Sequence, residues 1–315
     1  MLQENSLPNQ IPHSAAYFGD FRDFWWNRDF LELMARRLHF ENIHSVLDVG
    51  CGIGHWGRCL DSVLPADATV LGIDREEAWI KECKKRLTAQ ELSAGRFEYR
   101  VGDINALPFA DNTFDLATCQ TVLIHIENPL LAVGEMLRVT KPGGLVLAVE
   151  PNNRIGMLVG NNLSLDNPTE ETLKYVRFYL ICERGKRLLG LGDISLGDIL
   201  PGLLSAAGAK DIQVYLSDKT SAVFPPYTGN EQQTLLAQAR EMKEKQMWIW
   251  DRGESEKYFL AGGGNAAEFP ELWAFVTQSD DEFENAVASG KYYTSGGAMM
   301  YLVSGRKPDP LTKLQ

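Results

Sequence analysis

Residues 46–54 read Val-Leu-Asp-Val-Gly-Cys-Gly-Ile-Gly, an apolar run holding one carboxylate and then three glycines in alternation. Such a run predicts a β-strand feeding a turn in which side chains are excluded, because the backbone must bend sharply or be approached closely by a ligand. Asp48 stands two residues ahead of Gly50, inside the strand. A buried carboxylate is costly unless a cation or a hydrogen-bond donor meets it. The segment therefore predicts a pocket for a small ligand that carries positive charge.

Gly52, Gly54 and Gly57 also satisfy the dinucleotide fingerprint G-x-G-x-x-G. That register would leave Asp48 and Gly50 in the strand with no task. Two further runs point elsewhere. Thr69–Asp74 is a second short apolar run ending in an acid, and Phe97–Asp103 is a third. A carboxylate at the end of a second parallel strand suits ribose hydroxyls; an ion pair with Arg75 is the plain structural alternative for Asp74. Asp103 suits an adenine amine with Ile104 against the ring, or else it is an ordinary turn aspartate. Three successive strands would each end in an acid at one sheet edge. S-adenosylmethionine, with its ammonium and its sulfonium, suits such a pocket.

The stretches Asp103-Ile-Asn-Ala-Leu-Pro-Phe, Thr121-Val-Leu-Ile-His-Ile and Glu135-Met-Leu-Arg-Val-Thr-Lys-Pro-Gly-Gly follow in order. Over residues 41–152 the chain resembles class I S-adenosylmethionine-dependent methyltransferases, nearest the small-molecule type of ubiquinone and menaquinone biosynthesis. The resemblance implies an α/β fold, a doubly wound seven-stranded Rossmann-like sheet with helices on both faces and an antiparallel last strand. It implies S-adenosyl-L-methionine as cofactor, with Asp48, Gly50, Cys51, Gly52 and Gly54 around its methionine portion. Asp74, beside Arg75, would take the ribose, Asp103 and Ile104 the adenine, and Gln120 would line the methionine end.

Net charge is −11 among 315 residues, which disfavours nucleic acid as a partner, since phosphates are gripped by clustered Lys and Arg. A small-molecule methyl acceptor is the expected partner. No run approaches a membrane-spanning length. Five cysteines without a C-x-x-C pair read as thiols in a reducing, cytoplasmic compartment, with no metal site.

Four segments are expected. Residues 1–40 would form an aromatic and helical lid, with Asp29–Phe40 helical and with Tyr17 and Trp26 the pocket candidates; packing on the sheet flank is the alternative. Residues 41–219 would form the core, with strands near 45–49, 69–73, 97–101, 115–120, 144–149 and 211–216. A helix after Asn167-Pro168 would bury Leu173, Val176 and Leu180. Residues 220–290 would be a mostly helical lid insertion or an oligomerisation arm, with helices near 231–248 and from Ser279, and Gly262-Gly263-Gly264 as a hinge. Residues 291–315 would supply the last strand and tail.

Methyl transfer from a sulfonium needs an aligned nucleophile and exclusion of water, and alignment alone can supply ~7–11 kcal/mol. A base matters only for acidic acceptors. His125 and Glu150 are the catalytic candidates by position, each with a structural alternative as a loop or helix cap. A binding protein without turnover and a nicotinamide dehydrogenase stay open; the latter would want a Tyr-x-x-x-Lys pair on a helix at the sheet edge, and the sequence offers no convincing one.

Overall fold

The structure, a computed structural model, describes residues 20–89, 95–277, 281–297 and 299–309. Seven strands, β1 (Ser45–Val49), β2 (Thr69–Asp74), β3 (Phe97–Val101), β4 (Phe114–Gln120), β5 (Thr140–Asn152), β6 (Lys210–Leu216) and β7 (Met299–Arg306), build one sheet. Their order is β3-β2-β1-β4-β5-β7-β6. β1 to β5 run parallel to their neighbours, and β7 lies antiparallel to both β5 and β6. This is the expected doubly wound sheet with an antiparallel last strand. The six-stranded order 3-2-1-4-5-6 of dinucleotide-binding sheets is a different topology, so the nicotinamide alternative falls here.

Central parallel strands are covered on both faces, which is why they read as continuous apolar runs. Val46, Leu116 and Leu147 face one layer, with Met34 of the helix Arg28–Leu38 and Trp56 of the helix His55–Asp61. Leu47, Ala117 and Val146 face the other, with Met136 of the helix Pro129–Val139 and Leu204 of the helix Leu200–Ala206. β5 begins earlier than expected because Pro142-Gly143-Gly144 does not stop it. Residues 141–144 are a bulge: pairing with β4 jumps from Phe114↔Thr140 to Leu116↔Leu145.

The helix Thr169–Leu188 buries Phe178, Tyr179 and Cys182, while Leu173 and Leu180 are exposed. The expected apolar face was therefore the wrong one. Aromatic partners from far along the chain decide the orientation: Trp248, Trp250, Phe259 and Phe269 close over Phe178 and Tyr179. Residues 220–290 are helical at Asn230–Glu244, Arg252–Ala261, Phe269–Val276 and Asp281–Ala288. The aromatic cluster is shared with a helix that precedes β6, while a smaller cluster of Val223, Tyr227, Leu236 and Val287 belongs to this segment alone.

Gly262 is a contact glycine, contrary to the expected hinge. A Cβ there would stand 2.0 Å from the Ile181 carbonyl oxygen, and one on Gly185 would stand 1.7 Å from that of Tyr258. The two helices touch backbone to backbone. Of the expected face of the 230–244 helix only Leu236 is fully buried. That helix rests against the turn Asp20–Phe24. Ser279, expected as a helix cap, and Tyr17 lie outside the described residues.

Candidate active site

Gly50, Gly52 and Gly54 all have left-handed backbone, with φ of 66°, 52° and 76°, so the alternation of glycines is a conformational requirement. The space is taken as well: a Cβ on Gly50 would meet the Val122 methyls at 2.6 Å, and one on Gly54 the Tyr99 hydroxyl at 2.4 Å. Asp48 is 1% exposed. One of its oxygens accepts the Gly57 N–H at 3.0 Å, pinning the helix that follows the turn. The other, Oδ1, is buried with no partner among the described residues. Burial pushes this carboxyl up to about 7.

Asp74 closes the same turn from β2. Its Oδ2 accepts the Gly52 N–H at 2.9 Å and its Oδ1 the Glu76 N–H at 2.9 Å. Partial burial raises its pKa. Arg75 points to solvent and pairs with Glu76 at 3.3 Å, so it does not neutralise Asp74 as the structural alternative required. Asp103 is exposed, and its Oδ1 accepts from the Asn105 backbone and side chain at 2.9 and 3.0 Å, the geometry of a turn aspartate. Ile104 behind it is buried. Register pairs Val49 with Ile73 and Asp74 with Val101, so the three acids do share the carboxyl edge of adjacent strands. Cys51 is buried beside the turn, its N–H donating to Ile73 O at 2.8 Å.

Gln120 ends β4 and is buried, with its Nε2 unpartnered among the described residues. Asp48 pairs in register with Thr118, and Thr118 accepts the Trp56 indole N–H at 2.9 Å. Gln120, two residues on, therefore projects to the same face. Trp26 lies 5.2 Å from Trp56, ring to ring, and its own Nε1 is also unpartnered. Its ring belongs to the core cluster beneath the N-terminal helix. One sheet face thus carries a buried spare acceptor on Asp48 and a buried spare donor on Gln120, beside a turn stripped of side chains. An ammonium and a carboxylate on one carbon, the amino-acid end of S-adenosylmethionine, complement that pair.

The loop after β4 is built differently. Thr121 is left-handed at φ 54° although it is not glycine. Glu150 from β5 is fully buried, and its Oε1 accepts the N–H groups of Val122 and Leu123 at 2.9 and 2.8 Å. It is a cap, but for the short helix Leu123–His125 and not for the segment after Pro151. Burial pushes it up to about 7, and its Oε2 has no partner among the described residues. From the opposite side the buried Lys186 donates to the carbonyls of Ile124, at 3.2 Å, and of Leu191. Burial pushes this ammonium down to about 8. His125 stands exposed at the tip of the loop. His55 begins the helix after the glycine turn, buried, with Cys59 Sγ 3.7 Å from its ring.

Sequence reading missed Tyr99, Val122, Lys186 and Glu183, the last a buried carboxylate that accepts from Arg154 at 2.6 Å. Tyr99 had a signal: Gly72 on the neighbouring strand leaves room for its ring, which a Cβ on Gly72 would strike at 2.6 Å. Val122, Glu183 and Lys186 act only through tertiary contact. A cavity of 530 Å³ lies at the opposite edge of the sheet, lined by His39, Asp115, Lys141 and Arg306 among others. Lys141 pairs with Asp115 at 2.8 Å, and Arg306 donates to Gly143 O and Leu38 O. Nothing there calls for a ligand, and the orphaned polar atoms lie elsewhere.

Residues 47–148 match a family model described as a methyltransferase domain. An uncharacterized methyltransferase of Schizosaccharomyces pombe is 35% identical over 109 residues, 33% of this chain and 39% of that protein. A demethylmenaquinone methyltransferase of Lactiplantibacillus plantarum is 35% identical over 114 residues, 36% of this chain and 48% of the relative. The chain thus spans less than half the length of these curated relatives. A methyltransferase crystal structure from Galdieria sulphuraria, its assignment to sarcosine and dimethylglycine provisional, aligns with a TM-score of 0.50. It covers 90% of this chain and 85% of that one at 16% identity, a likeness of fold. Residues 47–148 therefore resemble a methyltransferase domain, and they lie in a sheet whose first strand runs into the glycine turn. Demethylmenaquinone methyltransferases are among the chain's curated relatives.

Proposed function

We propose that the chain moves the methyl group of S-adenosylmethionine to a small-molecule acceptor by in-line displacement. The observation that carries this reading is the orphaned acceptor of Asp48 and the orphaned donor of Gln120 on one sheet face, beside three left-handed glycines. The cofactor supplies an electrophilic methyl and a neutral thioether leaving group. Everything else is positioning. Asp48 and Gln120 fix the amino-acid end, while the glycine turn lets the nucleoside lie against backbone. Asp74, already anchored by two N–H groups, presents its remaining lone pairs to the ribose hydroxyls. Asp103 and Ile104 bound the adenine, Ile104 as apolar wall. Trp26, and Tyr17 with it, contribute to the cover.

Glu150 acts as a positioning residue in this reading, because its carboxyl supports the loop after β4 from beneath. His125, exposed on that loop, is the group placed to take a proton where the acceptor needs one removed. Residues 220–290 cover the acceptor side as a lid: the 230–244 helix already meets the N-terminal turn. Five cysteines outside any disulfide suit a reducing, cytoplasmic setting. Among the described residues no helix is long and apolar enough to cross a membrane.

The test is calorimetry with S-adenosylmethionine followed by a labelled-methyl screen against metabolite pools. Asp74→Ala should weaken cofactor binding by ~1–3 kcal/mol through lost hydrogen bonds. Unchanged affinity would overturn the assigned pocket. Tight binding with no labelled product from any pool would favour a regulator that senses the cofactor.

A further inference from the structure

The long helix Thr169–Leu188 has two faces of opposite kind. Phe178, Tyr179, Cys182, Glu183 and Lys186 are buried on one. On the other, Leu173, Leu180 and Leu188 are exposed at 60%, 44% and 62%. At 3.6 residues per turn, Arg177, Arg184 and Arg187 fall among these leucines on the same outward face. Arg184 has no hydrogen-bond or ion-pair partner among the described residues. Arg177 reaches Glu268 at 3.4 Å and Arg187 reaches Asp193 at 3.2 Å, both arginines being more than half exposed, and such pairs yield readily.

The strip continues past the helix. Gly190 packs against Glu127, and Gly192 against Ile124 and His125. Leu189 and Leu191 are exposed just past the helix, and Leu130 and Leu131 are exposed on the helix Pro129–Val139. From Leu173 to Leu188 alone the strip runs about 22 Å. A soluble surface rarely leaves so many large apolar side chains together without a partner.

We infer that this leucine–arginine face docks on an anionic lipid surface. Leucines would enter the interfacial region while guanidinium groups meet headgroup phosphates, the arrangement of a helix that lies in a membrane interface. A chain of net charge −11 that keeps its outward arginines among leucines is locally complementary to such a surface, within a screening length. Pairing with a second copy is less suited: antiparallel contact about Leu180 would set arginine against arginine. The docking does not depend on the methyl-transfer reading, and its test involves no turnover.

The experiment is co-sedimentation of the full chain with vesicles of phosphatidylcholine alone or mixed with phosphatidylglycerol. Binding is expected to the mixed vesicles and to fall with added salt. Arg184→Gln should weaken it about fivefold. Leu180→Glu, at an exposed site, should abolish it while the variant keeps the thermal midpoint and circular dichroism of the parent. Equal binding to both vesicle types, or none to either, would overturn the inference. So would a dimer in solution that Leu180→Glu dissociates, because the face would then be an interface between copies.

Discussion

Two loops flank the candidate site, and they solve the same problem by opposite means. The glycine turn after β1 is mostly local: three left-handed glycines and a carboxylate from its own strand shape it, with Asp48 nine residues from the Gly57 N–H it accepts, and Asp74 of β2 closes it. The loop after β4 has no glycine where its backbone turns left-handed at Thr121. It is held from outside, by Glu150 on β5 and by Lys186 on the added helix. One loop carries most of its own instructions; the other borrows two buried charges of opposite sign. They meet at Gly50, where Val122 fills the space a side chain would need.

The sharpest break in this contrast should come from Gly50→Val. Left-handed strain and the Val122 collision together predict a loss of roughly 3–5 kcal/mol in urea unfolding, and a cost under ~1 kcal/mol would show that the turn can shift. Glu150→Ala should come next. It strands two N–H groups in a dry site, for ~2–4 kcal/mol, whereas Glu150→Gln keeps an acceptor and should cost clearly less. Equal costs for Ala and Gln would remove Glu150 as the support of its loop. Lys186→Met should be milder, ~1–2 kcal/mol, since it removes a donor from two carbonyls but also a buried charge. Its cofactor affinity, read by calorimetry, should fall with the loop's order, and Lys186→Arg should restore part of it.

A last effect is one of pH. Asp48 and Glu150 both have folded pKa values of about 7, above those of the unfolded chain. Their protonated forms therefore favour folding. That contribution is complete below about pH 4 and is lost as pH rises through 7. Thermal midpoints should decline between pH 5 and 7, and Asp48→Asn should flatten the decline. A midpoint that climbs over this range would mean that neither carboxyl is buried as described.

The same contrast explains what the sequence allowed to be read. All seven strands, the N-terminal helix and the glycine turn are marked by apolar runs, periodicity or glycines within their own short segments, and their positions were legible. So were Asp48, Asp74 and Gln120 as edge residues. The buried face of the 169–188 helix was not. Leu173 and Leu180 are more apolar by composition than the ionic Glu183 and Lys186, yet they lie outside, because Trp248, Phe259 and Phe269 reach Phe178 across the fold. Within the glycine triplet read as a hinge or mobile loop, Gly262 is a backbone contact for the same reason: its partner, Ile181, lies on a different helix. Periodicity identifies a helix, but long-range aromatic partners choose which side it buries.

The place of β7 bears on how the chain is made. β6 sits at the rim with β7 as its one neighbour, and β7 begins only at Met299. At ribosomal speeds of about 5–20 residues per second, β6 waits several seconds for its mate, with the hydrogen-bonding flank of β5 bare meanwhile. Every residue of the aromatic cluster, by contrast, has been synthesised by then. The helices can consolidate first and shelter a half-finished sheet, and nascent chains halted before Met299 would expose an adhesive edge.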